Sequence, residues 1–179
     1  PGHNYQGCAG RMRLVIDTDP GLDDAVALCL ALGTPGVEIA GITTVGGNTR
    51  LANTTRNVLR LLELVGRSDI PVACGYDTPY RRQRRDTGVL VHGTDGFAGV
   101  NLPEPVTTPV SSDAPEFLAQ VISASNEPIT LVTLGPLTNV AHMLDRYPDA
   151  VPDRTVMMGG AARLGNVTPV AEFNVWHDP

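Results

Sequence analysis

Lysine is missing from the 179-residue sequence, and all 13 basic residues are arginine. Any mechanism that needs a lysine is excluded. Cysteine is scarce. Cys8, Cys29 and Cys74 are odd in number and too far apart for metal-ligand spacing, so they read as buried free thiols of a reducing compartment. No apolar run approaches the ~20 residues of a membrane span. Pro1 to Gly10 lack the basic start and apolar block of a secretory signal. Positive charge is in the minority, with a net charge of -6, which argues against a nucleic-acid or anionic-membrane partner.

What remains is an ordinary globular composition, 42% hydrophobic and 18% charged, with enough length for one buried core. Residues 1–12 read as a disordered lead-in or artificial extension, and 13–179 as the fold proper. From Arg13 onward, short β-branched runs alternate with helical ones. Strands are expected at Leu14–Ile16, Val37–Thr44, Pro71–Cys74, Ile129–Leu134 and Thr155–Met158. Helices are expected at Leu22–Leu32, Thr49–Val65 and Ala114–Ser125, with a further one opened by Gly135-Pro136. Gly75 to Ser112 is a long irregular stretch of the kind that is usually functional or mobile. Strands separated by helices of this size predict an α/β fold: a mostly parallel sheet, helices on both faces, ligands at the carboxyl strand ends.

The strongest chemical signal is Asp17-Thr18-Asp19-Pro20-Gly21-Leu22-Asp23-Asp24, four carboxylates within eight residues where the first strand runs into a helix. A helix dipole favours one or two negative charges by about 0.3–1 kcal/mol each, which is too little for four. A bound cation is the economical explanation. Oxygen ligands without His or Cys suit Ca²⁺ or Mg²⁺ rather than zinc.

The run DTDPGLDDAVAL resembles the opening motif of the inosine–uridine preferring nucleoside hydrolase family. The resemblance continues through Gly46-Gly47-Asn48, His92-Gly93, Gly135-Pro136-Leu137-Thr138-Asn139, Met158-Gly159-Gly160, Asn166 and Glu172-Phe173-Asn174. It implies a Rossmann-like nucleoside hydrolase fold and calcium-dependent hydrolysis of the N-glycosidic bond of ribonucleosides, through an oxocarbenium-like ribose. By position, Asp19 is implied as a metal ligand and the base that takes a proton from water, Asp24 as the second ligand, and the Leu134 carbonyl as a third. Asp23, Asn48, His92, Met158, Asn166, Glu172 and Asn174 are implied as substrate-binding residues, and Asp17 orients its neighbours from behind. The expected partner is a small ribonucleoside, in a cytoplasmic homo-oligomer, dimer or tetramer.

The Arg81–Arg85 run reads as a solvated loop, and the His177-Asp178 pair as structural. Family members of usual size continue well beyond the position of Pro179. The C-terminal part missing from this chain normally brings another aspartate ligand and, in many members, a histidine that protonates the leaving base. Two other readings bear on function. A haloacid-dehalogenase-like phosphatase shares the Asp17-Thr18-Asp19 pattern, but it expects Thr or Val at Gly21 and a lysine further on. A non-catalytic ribose- or nucleoside-binding remnant would keep the pocket without turnover.

Overall fold

The run Leu14–Ile16 lies inside β1 (Met12–Thr18), which is buried along most of its length. Leu14 and Ile16 enter one hydrophobic cluster and Val15 the other, as the period-two alternation of a strand covered on both faces requires. The structure is a computed structural model that describes residues 11–83 and 88–179. Cys8, Arg84, Arg85 and the first ten residues of the expected lead-in lie outside the described residues. Met12, expected in that lead-in, opens β1 and pairs with Val37.

The other strands are β2 (Val37–Thr44), β3 (Val72–Cys74), β4 (Ile129–Thr133) and β5 (Arg154–Met157). All pair in parallel, in the order β3-β2-β1-β4-β5. The helices are α1 (Leu22–Gly33), α2 (Leu51–Leu64), α3 (Val89–His92), α4 (Ala114–Ser123), α5 (Thr138–Arg146) and α6 (Phe173–His177). Leu28 of α1 and Val58, Leu61 and Leu62 of α2 pack with Ile16 and Ile42 on one face of the sheet. Leu118 and Ile122 of α4 and Met143 of α5 pack with Val15, Ile129 and Leu131 on the other. The chain runs outward from β1 to β2 and β3, then returns to β4 on the opposite side. This reversal between β1 and β4 is where a parallel sheet opens a crevice at its carboxyl ends.

Several expectations change in detail. The helix after β4 starts at Thr138, and Gly135-Pro136 forms the turn before it. The stretch Gly75–Ser112 contains α3. Glu172 and Asn174, expected in a loop, are the N-cap and the second residue of α6. Leu90, Val91 and Cys29 are exposed, so Cys29 is not the buried thiol its apolar surroundings suggested. α1 is apolar nearly all round, and its outer side has no cover among the described residues: Val26 is 69% exposed and Leu30 71%. Among the described residues no helix is long and apolar enough to cross a membrane.

Candidate active site

Asp17, Thr18 and Asp19 leave the end of β1 fully or almost fully buried. Successive strand residues point to opposite faces, and the hydrogen bonds divide accordingly. Thr18 turns toward α1 and donates to Asp24 Oδ1 at 2.6 Å. Asp17 turns the other way, where Oδ1 accepts from Thr43 Oγ1 at 2.5 Å and from Asn139 Nδ2 at 2.7 Å. Asp24 also reaches back to the helix start and accepts from the Gly21 amide at 3.2 Å, which satisfies one of the orphan N–H groups of α1.

Asn48, in the turn after β2, ties two of the acids together. Its backbone amide donates to Asp19 Oδ2 at 2.7 Å, and its side-chain amide donates to Asp24 Oδ2 at 3.3 Å. Two glycines make room for the Asp19 carboxylate. A Cβ on Gly135 would stand 2.6 Å from its Oδ1, and one on Gly47 would overlap Oδ2. Gly47 and Gly135 in these landmarks therefore have a steric cause: the turns after β2 and β4 close on Asp19 from both sides.

The electrostatic cost is large. Burial pushes the Asp19 carboxyl well above the usual carboxylate range, and the charge of Asp24 pushes it further. Burial also raises Asp24, against hydrogen bonds from Thr18 and Gly21 that pull it down. Asp17 is pushed up to about 7 by burial, with Thr43 and Asn139 opposing. Among the described residues no arginine pairs with Asp19 or Asp24. Two buried carboxylates facing one another without a counter-charge suit a cation, because burial of unpaired charge is otherwise prohibitive. The donor set is thin, however: among the described residues no three His, Cys, Asp or Glu side chains converge as a metal cluster. The Leu134 carbonyl accepts from Asn174 Nδ2 at 2.7 Å, which leaves it one lone pair.

Beside these acids opens a cavity of about 710 Å³, lined by Asp23, Asp24, Asn48, His92, Leu134, Met158, Asn166, Glu172 and Asn174 together with Leu22, Leu90, Val91, Val167 and Phe173. All seven residues expected to bind substrate thus share one cavity. Asp19 and Asp17 do not line it, and Asp19 lies behind Asn48. Asp23 is open to solvent, with His92 Nε2 at 3.9 Å from its Oδ1. His92 Nδ1 accepts from the Leu22 amide at 3.3 Å. Glu172, which on its own suggested a surface glutamate, is buried and accepts from the Asn174 and Gly160 amides, both at 2.9 Å. Asn174 Nδ2 also donates to the Met158 carbonyl at 3.0 Å. The sequence pattern assigned no roles to Thr18, Thr43 and Asn139. The first two were recoverable from strand alternation, but Asn139 reaches Asp17 across 122 positions, beyond any local pattern.

A parallel α/β sheet with buried acids beside a mixed polar and apolar cavity at its switch point defines a small-molecule binding site of an α/β protein. The family model "Inosine-uridine preferring nucleoside hydrolase" matches residues 14–179, and the chain belongs to that family. A pyrimidine-specific ribonucleoside hydrolase, RihA, of Salmonella paratyphi A is 48% identical over 168 residues, covering 93% of this chain and 54% of RihA. The plant nucleoside hydrolase PpNRh1 superposes with a TM-score of 0.89 at 38% identity, over 94% of this chain and 54% of that one. A purine-preferring ribonucleoside hydrolase from Gardnerella vaginalis gives 0.88 at 29% identity, over 93% of this chain and 55% of that one. The chain spans about half the length of the curated relatives it matches.

Proposed function

We propose that this chain carries the metal- and ribose-binding part of a calcium-dependent ribonucleoside hydrolase. The observation behind this reading is the buried carboxylate pair, Asp24 in the wall of a nucleoside-sized cavity and Asp19 joined to it through the cavity-lining Asn48, in a chain of this family. Asp19, Asp24 and the Leu134 carbonyl would hold Ca²⁺, which favours oxygen ligands. When bound, the ion supplies an acidified water and a grip on sugar hydroxyls.

The chain's own residues would do the rest. Asp19 takes the proton of the attacking water as its oxygen adds to C1′ and the base departs with the bonding electrons. Asp23 receives the 2′-hydroxyl. Asn48 and Asn166 fix the sugar from two sides, and Met158 packs on its apolar face. Glu172 and Asn174 act partly through the backbone: one caps α6, and the other steadies the Leu134 carbonyl. Asp17 holds the end of β1 from behind. A cytoplasmic homo-oligomer is the setting the family suggests.

The thin donor set among the described residues favours a second reading, in which this polypeptide binds ribose without turning it over. Release of free base from inosine and uridine by the purified chain, with calcium and with chelator, separates the two. Chelator-sensitive release lost in Asp19→Ala supports the hydrolase. Ribose binding by calorimetry without base release supports the binding reading.

A further inference from the structure

We infer that Asn57 is a positioning residue that locks the His92 loop onto the acidic turn and so sets the imidazole against the start of α1. The inference rests on the reading of the cavity as a ribonucleoside site. Asn57 lies on the buried side of α2 with no exposed surface. Its Nδ2 donates to the Asp95 carbonyl at 2.8 Å and, in a longer contact, to the Pro20 carbonyl at 3.4 Å. Pro20 sits between Asp19 and Asp24, and Asp95 sits three residues beyond His92. One side chain therefore joins the two segments that wall the cavity near the sugar.

The orientation of that amide is forced. Turned over, it would set Oδ1 against two carbonyl oxygens, so the NH₂ group must face them. Its Oδ1 is buried and finds no hydrogen-bond partner among the described residues, and buried polar atoms without partners are uncommon in folded proteins. The arrangement keeps both donor contacts and leaves the acceptor unused. Gly96 fits the same junction: at φ +86, a Cβ there would meet Asn57 Nδ2 and the Pro20 oxygen, each at 2.9 Å.

Beyond the junction the loop is closed on itself. The Ala98 amide donates to the His92 carbonyl at 2.8 Å, and Asp95 Oδ1 accepts from the Phe97 amide at 3.0 Å. Thr49 Oγ1 and Asn53 Nδ2 hold the Thr94 carbonyl at 2.9 and 3.0 Å. They tie the loop to α2 and the residues just before it but make no such bond to the acidic turn. Asn57 is the residue that touches both, so it carries the placement of the loop through to the His92 Nδ1 bond with the Leu22 amide.

The test uses the 179-residue chain and reads the imidazole directly. In the parent, ¹⁵N–¹H spectra assigned with His92→Gln should show His92 held as the Nε2–H tautomer, with a protected Leu22 amide. Asn57→Asp keeps the size but turns a carboxylate toward two carbonyls. It should release the ring into mixed tautomers and speed Leu22 amide exchange at least tenfold. Ile122→Val, a core change on the opposite face, should leave both readouts alone. If Asn57→Asp does not fold, Asn57→Ser, too short to reach either carbonyl, decides in its place.

In ribose binding by calorimetry, Asn57→Asp and His92→Gln should weaken affinity by similar factors, with the double variant no weaker than either. A folded Asn57 variant with unchanged His92 signals and Leu22 exchange overturns the inference. A parent that shows the held ring yet binds no ribose overturns the functional reading and leaves the positioning role in place.

Discussion

Asp17, at the carboxyl end of β1, is fully buried, and its Oδ1 takes hydrogen bonds from two other elements. Met157, two strands away on β5, is an apolar side chain 46% exposed. The usual sorting of side chains is reversed between these places, for reasons that can be separated. The acids are held inside by a network that reaches Thr43, Asn139, Thr18 and Asn48, so each carboxylate meets donors. All four residues of β5 are exposed, and among the described residues the strand pairs on one side only, with β4. The sheet centre is held by side chains packed on both of its faces. The β5 flank holds its place through its backbone ladder to β4.

The largest contrast should appear between neighbouring strands. Leu131 of β4 is 1% exposed among Val15, Leu118 and Met143. Leu131→Ala should cost about 2–5 kcal/mol, the range for truncating a leucine in a closed core. Urea unfolding followed by circular dichroism would measure it. A cost below about 1 kcal/mol would mean that the sheet centre is no better packed than its flank, and the comparison would fail.

A second contrast concerns pH. Asp17 has a folded pKa raised to about 7 from 3.8, so the folded chain holds a proton that the unfolded chain releases. That contribution is complete below about pH 4 and is lost as pH rises through about 7. Asp19 and Asp24 are shifted in the same direction. Each tenfold difference in proton affinity between the folded and unfolded chain is worth about 1.4 kcal/mol. In chelator, the chain should therefore lose a few kcal/mol of stability between about pH 4.5 and pH 7.5. Asp17→Asn, which keeps the shape and cannot ionise, should flatten the slope. An identical slope in Asp17→Asn would remove Asp17 from the account.

This contrast also marks how far the sequence could be read. The acidic run and the strands were legible because each is local: the continuous apolar run Leu14–Ile16 placed β1, whereas the cavity residues were legible through the resemblance of their motifs to the family. Asn139 and Asn57 were not legible, because their partners lie far along the chain or are backbone carbonyls that carry no residue identity. Glu172 was read as loop because α6 is five residues long, too short for a helical period to show. The exposure of Val26 and Leu30 was unreadable for another reason. An apolar helix announces that it will be covered, and the pattern does not say by what.

The smallest expected effect tests the flank itself. Val156 is 49% exposed on β5, and the residue opposite it on β4 is Val132. Val156→Thr keeps the β-branched shape that suits a strand and adds one hydroxyl with access to water. In the 179-residue chain it should change stability by less than about 0.5 kcal/mol, as surface substitutions do. The same urea titration reads it, and its value depends on what lies against β5. A cost near 2 kcal/mol would show Val156 buried in solution, through self-association if the cost grows with protein concentration. A concentration-independent cost of that size would instead show that β5 packs against its own chain more closely than 49% exposure allows. A negligible cost leaves the bare flank and the covered centre as two separate ways of holding one sheet.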